Sequence, residues 1–278
     1  MIGVDAPPAL LCLLASLVWA PLVYRAASRL DRDGASPMSE IVWIGALALA
    51  ALPTLIAPVF AAAGLSLRPA PAAPPALLPA EIATVASSPA PGPGLTAETL
   101  IGAAGLLYLY GALLAFGVFA VRALLFAGAM RRAAPLDNPA LSTALDRWRR
   151  RLGVAAPLRV KVSPALASVC VYGLIRPVIV MPAQLVERAD FDDLVMMGAH
   201  ELAHIRRGDG RLFAAAAAAK ILFWFNPFLR RIAARAELAA EQGADGLVLA
   251  FGADRRRYAA CFVEGLRFAA ERAAARVA

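Results

Sequence analysis

At 278 residues, 60% hydrophobic and only 17% charged, with a mean hydropathy of +0.66, the chain is too apolar for an ordinary soluble domain. Its net charge of +8 would suit a nucleic-acid ligand, but Lys161 and Lys220 are the only lysines. The arginines cluster beside apolar runs, where they orient helices in a bilayer, so no direct nucleic-acid binding is expected. Three scattered cysteines, Cys12, Cys170 and Cys261, include no CxxC pair and argue against a disulfide framework or a thiolate metal site.

Residues 7–24 form an uncharged apolar run, near the roughly 20 residues a helix needs to cross a bilayer. No basic region precedes it, as one would in a signal peptide. Arg25, Arg29 and Arg32 follow in a short loop with Asp31, Asp33 and Gly34. A second uncharged run occupies 41–67, with Pro53 and Pro58 tolerable as kinks in a membrane helix. Residues 1–67 thus predict two transmembrane helices joined by a short cytoplasmic loop. Over 68–97 the composition turns to Pro, Ala and Ser, an external linker without a core. A third transmembrane helix is predicted over 98–127, with Arg122, Arg131 and Arg132 at and beyond its end. The positive-inside rule places the N-terminus outside, the linker outside and everything after Arg122 in the cytoplasm. That describes a multi-pass protein of the inner cell membrane, with the lipid bilayer as a partner.

In 136–153, Leu141, Leu145, Trp148 and Leu152 recur at helical spacing. Strand-like runs follow at 158–162, 169–172 and 178–181, the last two joined by Gly173-Leu174-Ile175-Arg176-Pro177 as a hairpin. A strand edge beside a hydrolytic site can pair with an extended peptide. Val169, Cys170, Val171 and Tyr172 are assigned that part, with 178–181 as the alternative and two ordinary core strands as the bland reading.

A helix over 192–207 carries both histidines of the chain. His200 and His204, four apart, lie one turn apart on one face, and Glu201 follows the first. At this His-Glu-x-x-His spacing two imidazoles can bind one Zn²⁺, with a glutamate beside them to take a proton from water. In a chain with two histidines the pattern arises by chance only about once in several thousand sequences. Asp209 is either a carboxylate set against one imidazole or a solvated turn residue. Residues 212–229 are long and apolar enough to tempt a fourth span, but Lys220 sits near the middle and Asn226-Pro227 interrupts the end. Because a third zinc ligand has to come from beyond it, this stretch is predicted as a re-entrant or interfacial apolar helix that returns the chain. The helix beyond offers Glu237 and Glu241. Glu241 shares a face with Asp245, which could receive an N–H from a ligand histidine and so favours Glu241 as ligand. One Zn²⁺ per chain is expected. Tyr258 and Tyr172 are candidate oxyanion donors, with a nearby arginine as the alternative. The stretch 255–278 reads as an amphipathic helix that packs on the domain, on the inner leaflet or on a partner.

The order His200-Glu201-Leu202-Ala203-His204-Ile205-Arg206-Arg207-Gly208-Asp209, then Trp224-Phe225-Asn226-Pro227, then Glu241-x-x-Ala244-Asp245, resembles the BlaR/MecR family of membrane-embedded zinc peptidases. The run from Tyr172 through Pro182 is similar to the strands before that family's zinc helix, and the resemblance extends over nearly the whole chain. It implies an α-helical membrane protein with a cytoplasmic α+β zincin-like (gluzincin) metallopeptidase domain over 128–278. It further implies His200, His204 and Glu241 as ligands, Glu201 as general base and Asp245 behind a ligand histidine. The implied activity is zinc-dependent endopeptidase action on a peptide or protein substrate, a transcriptional repressor or the transducer itself, in response to a signal. Two departures stand out. Family members carry a fourth spanning helix and an external penicillin-binding sensor domain after the peptidase region, whereas this sequence runs to Ala278. Their Cys-Asp pair near the third ligand reads Ala244-Asp245 here. A separate sensor partner is therefore expected in place of direct β-lactam sensing. The rival reading is a non-catalytic zinc-stabilised membrane transducer or scaffold, against which the intact Glu201 argues, since binding alone needs no base.

Overall fold

The computed structural model describes residues 8–31, 38–62 and 96–274. In chain order its elements are α1 (Pro8–Leu30), α2 (Ser39–Ala62), α3 (Ala97–Arg131), β1 (Ala134–Pro135), α4 (Pro139–Arg151), β2 (Val160–Ser163), β3 (Cys170–Tyr172), β4 (Val178–Pro182), α5 (Ala183–Arg188), α6 (Phe191–Arg207), α7 (Asp209–Leu222), α8 (Pro227–Ala250) and α9 (Arg255–Ala274). The architecture is mostly helical, with one small mixed sheet. The predicted linker at 68–97 falls almost wholly outside the described residues, as do residues 32–37 of the first loop and 275–278 of the tail.

The helices α1 and α2 pack on each other and on α8, which pairs with α7. Their shared core is rich in alanine: Ala20, Ala46, Ala50, Ala216, Ala233 and Ala236 are buried there, with Trp43, Phe223 and Leu229 filling the wider gaps. Small side chains let helix axes approach closely, which is how helices associate when their surroundings are as apolar as their contact. The outward faces remain apolar, with Val18, Leu22, Ile41 and Leu49 exposed. An exposed apolar surface of that extent calls for a covering.

Among the described residues one helix is long and apolar enough to cross a membrane, Thr99–Arg131, and Ser39–Thr54 is a shorter apolar helix. The predicted third span thus lies within a helix that continues to Arg131. It meets the rest in two places, at the sheet, where Phe126 packs on Tyr172 and Met130 joins Val178 and Val180, and at the α7–α8 turn. Tyr108 Oη donates to the Leu222 carbonyl at 3.2 Å and Trp224 Nε1 to the Tyr108 carbonyl at 3.3 Å. Gly111 makes room for this, since a Cβ there would stand 2.2 Å from the Trp224 ring.

Within 212–229 the chain breaks at the Asn-Pro pair. α7 ends at Leu222 and α8 begins at Pro227, whose ring cannot continue a preceding helix. Between them Asn226, fully buried, caps α8 by accepting from the Phe228 and Leu229 amides at 3.1 and 3.2 Å. Its amide group donates to the carbonyl and Oγ of Ser16 on α1, at 3.0 and 3.1 Å. The two helices therefore form a hairpin, closed further along by Lys220 Nζ at 2.6 Å from both Glu237 oxygens.

The sheet has the order β1-β2-β4-β3, with β2 parallel to β4 and the other pairs antiparallel. Its buried central strand β4 explains the continuous apolar run at 178–182. The hairpin predicted at 173–177 joins β3 to β4, the first strand is shifted to 160–163, and β1 is an addition too short to leave a periodic signal. Buried Leu141 and Leu145 of α4 join one core with Ile179, Met181, Leu194 and Leu202. α9 lies on α6, with Cys261 and Phe268 buried, which fixes where the amphipathic stretch packs over 255–274.

Candidate metal centre

One side of α6 is apolar and buried, through Leu194, Val195 and Leu202, and its ends suit the helix dipole, with Asp192 and Asp193 first and Arg206 and Arg207 last. Gly208 closes it at φ +74°, the left-handed conformation that a Cβ disfavours. That reversal folds Asp209, 3% exposed, back onto His204, whose Nδ1 lies 2.7 Å from Asp209 Oδ2. α6 meets α8 where Ala199 and Ala203 pack with Ala244 and Val248, all fully buried. Alanines at this contact bring the axes close enough for Glu241 to reach both imidazoles.

Glu241 Oε2 lies 3.2 Å from His200 Nε2 and 3.4 Å from His204 Nε2, and the two Nε2 atoms are 3.0 Å apart. Asp245, one turn further along α8, stands 3.0 Å from His200 Nδ1. Both Nδ1 positions can thus donate to carboxylates, which leaves the Nε2 lone pairs converging on each other and on a carboxylate oxygen. Such a cluster repels itself unless positive charge sits inside. Its edges are close to the roughly 3.3–3.4 Å spacing of ligands around a tetrahedral zinc with bonds of about 2.0–2.1 Å. The residues fit a zinc ion, by donor chemistry and by size.

Protonation tells the same story. Burial pulls both histidines down, yet Asp245 and Glu241 raise His200 to about 9, and Asp209 with Glu241 raise His204 to about 10. Glu241 is held well below the usual carboxylate range, by His200 first and then His204. A metal at this cluster would therefore bind in competition with protons.

Glu201 lines a cavity of about 790 Å³ together with the three clustered residues. Burial raises its pKa while the two imidazoles pull it back, and the Val171 backbone N–H donates to its carboxylate. The walls are mainly apolar, including Met196, Met197, Phe213, Phe262 and Leu266, and Arg211 is their one guanidinium. The terminal strand β3 faces this space through Cys170 and Val171, with Val169 just before it. Burial, helped by Glu201, pushes the Cys170 thiol up to about 12, so it is no nucleophile at neutral pH.

Other sequence candidates fall elsewhere. Tyr172 is 40% exposed and packs its ring on Phe126 of α3, at 5.7 Å, away from the cavity. Tyr258 touches the cavity, but its hydroxyl donates to Asp245 at 2.8 Å and lies 2.9 Å from His200 Nδ1, on the far side from Nε2. It braces the Asp245–His200 pair and is not placed as an oxyanion donor. Glu237 is occupied by Lys220. Sequence reasoning missed Phe262, set edge-on to His200 at 5.4 Å, and the Arg207 contacts described below.

Two histidines on one helix, a carboxylate from another and a glutamate beside the first histidine form the donor set of a metal-dependent hydrolase. The family described as BlaR1 peptidase M56 matches residues 46–275. The chain belongs to that family and is a peptidase of the BlaR1 type. No curated protein matches it.

Proposed function

We propose that the protein is a membrane-bound zinc-dependent endopeptidase that transduces a signal by cleaving a cytoplasmic repressor or itself. The observation carrying this reading is the triangle of His200 Nε2, His204 Nε2 and Glu241 Oε2, with edges of 3.0, 3.2 and 3.4 Å, opening on the cavity of Glu201. A zinc ion held there would polarise the scissile carbonyl and bring the pKa of a bound water toward about 7.

The chain's own residues supply the rest. Asp209 and Asp245 keep both Nδ1 positions protonated, so that each Nε2 faces the centre. The Glu201 carboxylate, oriented by the Val171 N–H, accepts a proton from the attacking water. With a pKa raised by burial, it can then return that proton to the leaving nitrogen. The open edge of β3, apart from the Val171 N–H that serves Glu201, would take an extended peptide. The apolar walls would seat hydrophobic side chains and exclude water, and Arg211 is the cavity's candidate for charge on the carbonyl oxygen.

The arginines at the ends of α1 and α3 support an outside N-terminus and a cytoplasmic peptidase domain. Apolar outer faces on α1, α2 and α3 support a multi-pass arrangement in the inner membrane. A separate sensor partner would deliver the signal. The test is zinc content and self-cleavage of the full chain in membranes, wild type beside Glu201→Gln. About one zinc per chain in both, with fragments from wild type alone, is expected; equal cleavage by the variant, or no zinc in either, overturns the proposal.

A further inference from the structure

The supports of the cluster do not end at Asp209. Arg207 Nε donates at 3.1 Å to Asp209 Oδ2, the same oxygen that stands 2.7 Å from His204 Nδ1. The other arm of the guanidinium, Nη2, donates to Oε2 of Glu40 in the first turn of α2. The group lies against α8 at Gly243, where a Cβ would come within 2.6 Å of Cζ, Nη1 and Nη2. The chain of contacts is well enclosed, with side-chain exposures of 3% for Asp209, 19% for Arg207 and 26% for Glu40. A planar fork held at both ends is directional in a way that a lone ammonium is not.

Resting on the reading of His200, His204 and Glu241 as metal ligands, we propose that Glu40 is a positioning residue of the metal centre. Acting through Arg207 and Asp209, it sets the orientation of His204, so the seating of the α1–α2 hairpin governs how tightly the ion is held. With Glu40 neutralised, the guanidinium has Asp209 as its one remaining carboxylate and is free to swing toward it. Asp209 Oδ2 then divides its lone pairs differently between Arg207 and His204, and the imidazole loses its fixed aim. Groups that orient a ligand from behind typically change metal affinity by about 10–100-fold. Glu40 stands three links back from His204, so the lower end, about tenfold, is expected.

The experiment uses the full chain in detergent micelles, stripped of metal by a chelator. Zinc affinity is read by competition with a chromogenic chelator, and geometry by the visible spectrum of bound Co²⁺. The variants are Glu40→Gln, Glu40→Asp, Gly243→Ala and, as a control two turns along α2, Leu47→Ala. Gly243→Ala is informative because alanine favours the helix it sits in while displacing the guanidinium. It also leaves α2 untouched should Glu40→Gln fail to fold. Expected are zinc affinities about tenfold weaker for Glu40→Gln and Gly243→Ala, with altered Co²⁺ bands, and partial rescue in Glu40→Asp. Leu47→Ala should lower thermal stability and keep the wild-type affinity and spectrum. Wild-type affinity and spectrum in Glu40→Gln, or an equal loss in Leu47→Ala, overturns the inference. A wild-type chain that binds neither Zn²⁺ nor Co²⁺ overturns the metal-centre reading instead.

Discussion

Asn226→Ala tests whether the α7–α8 turn is pinned into the helical bundle. The native side chain is fully buried and makes four hydrogen bonds, two to the first amides of α8 and two to Ser16. Loss of the cap costs about 1–2 kcal/mol. Losing the two bonds to Ser16 adds about 1–2 kcal/mol, at the usual net value per neutral bond. The sum is about 2–4 kcal/mol, a large share of the stability of a protein this size. Asn226→Asp keeps the acceptor that caps α8 but turns a charged oxygen on the Ser16 carbonyl, so it should fare no better. The assay is SDS-driven unfolding in mixed micelles, run as a double-mutant cycle with Ser16→Ala, for which a coupling of about 1 kcal/mol is expected. Zinc stoichiometry should be unchanged, because Glu241 lies four turns along α8. A loss for Asn226→Ala below about 0.5 kcal/mol, comparable to an ordinary surface change, would refute the reasoning.

Glu237→Gln should retain zinc and Glu241→Gln should lose it, as metal analysis would show. Glu237→Gln also leaves Lys220 without its carboxylate, so Lys220→Met with Glu237→Met should be more thermostable than either single variant. Asp209→Ala and Asp245→Ala should each weaken zinc binding about 10–100-fold in chelator competition. Wild-type affinity in both would remove them from the centre. Gly208→Ala should cost about 1–2 kcal/mol through backbone strain alone, since nothing lies within 4 Å of the added Cβ. Calorimetry showing no change in melting temperature would disprove that account.

The legible part of the site is the part that one helix carries. His200, Glu201 and His204 declare their common face by spacing, and Glu241 is marked by Asp245 one turn away. Asp245 already favours Glu241 over Glu237 in the sequence; what the hairpin adds is Lys220 set against Glu237. Asp209 reads equally as turn or support until Gly208 takes up its left-handed conformation. Tyr258 was legible as a polar aromatic near the site, but which nitrogen of His200 it meets depends on how α9 crosses α6. The Asn-Pro interruption was visible in the apolar run at 212–229, while its pin to Ser16 spans 210 positions and left no local trace. Glu40 stands 167 positions from Arg207 and is one acid among several in the sequence.

Three helices set the depth of the centre against the hairpin tip. Asn226 marks the level of Ser16, and Gly243 marks the level of Arg207 and Glu40; along α8 these are about 26 Å apart at about 1.5 Å per residue. On α1, the rise from Ser16 to Asp31, which bonds Ser39 and Trp43 beside Glu40, is about 22 Å. On α3, the rise from Tyr108 at the turn to Phe126 at Tyr172 is about 27 Å. These spans fall a little short of the roughly 30 Å apolar core of a bilayer. On the proposed topology the tip is therefore immersed, and the Lys220–Glu237 pair lies in a layer where neither charge is tolerated alone. The centre then falls at the cytoplasmic boundary, at the level that Arg29 and Arg122 reach on their own helices. On that topology, chain segments emerging from the membrane would come within reach of the centre as well as soluble ones.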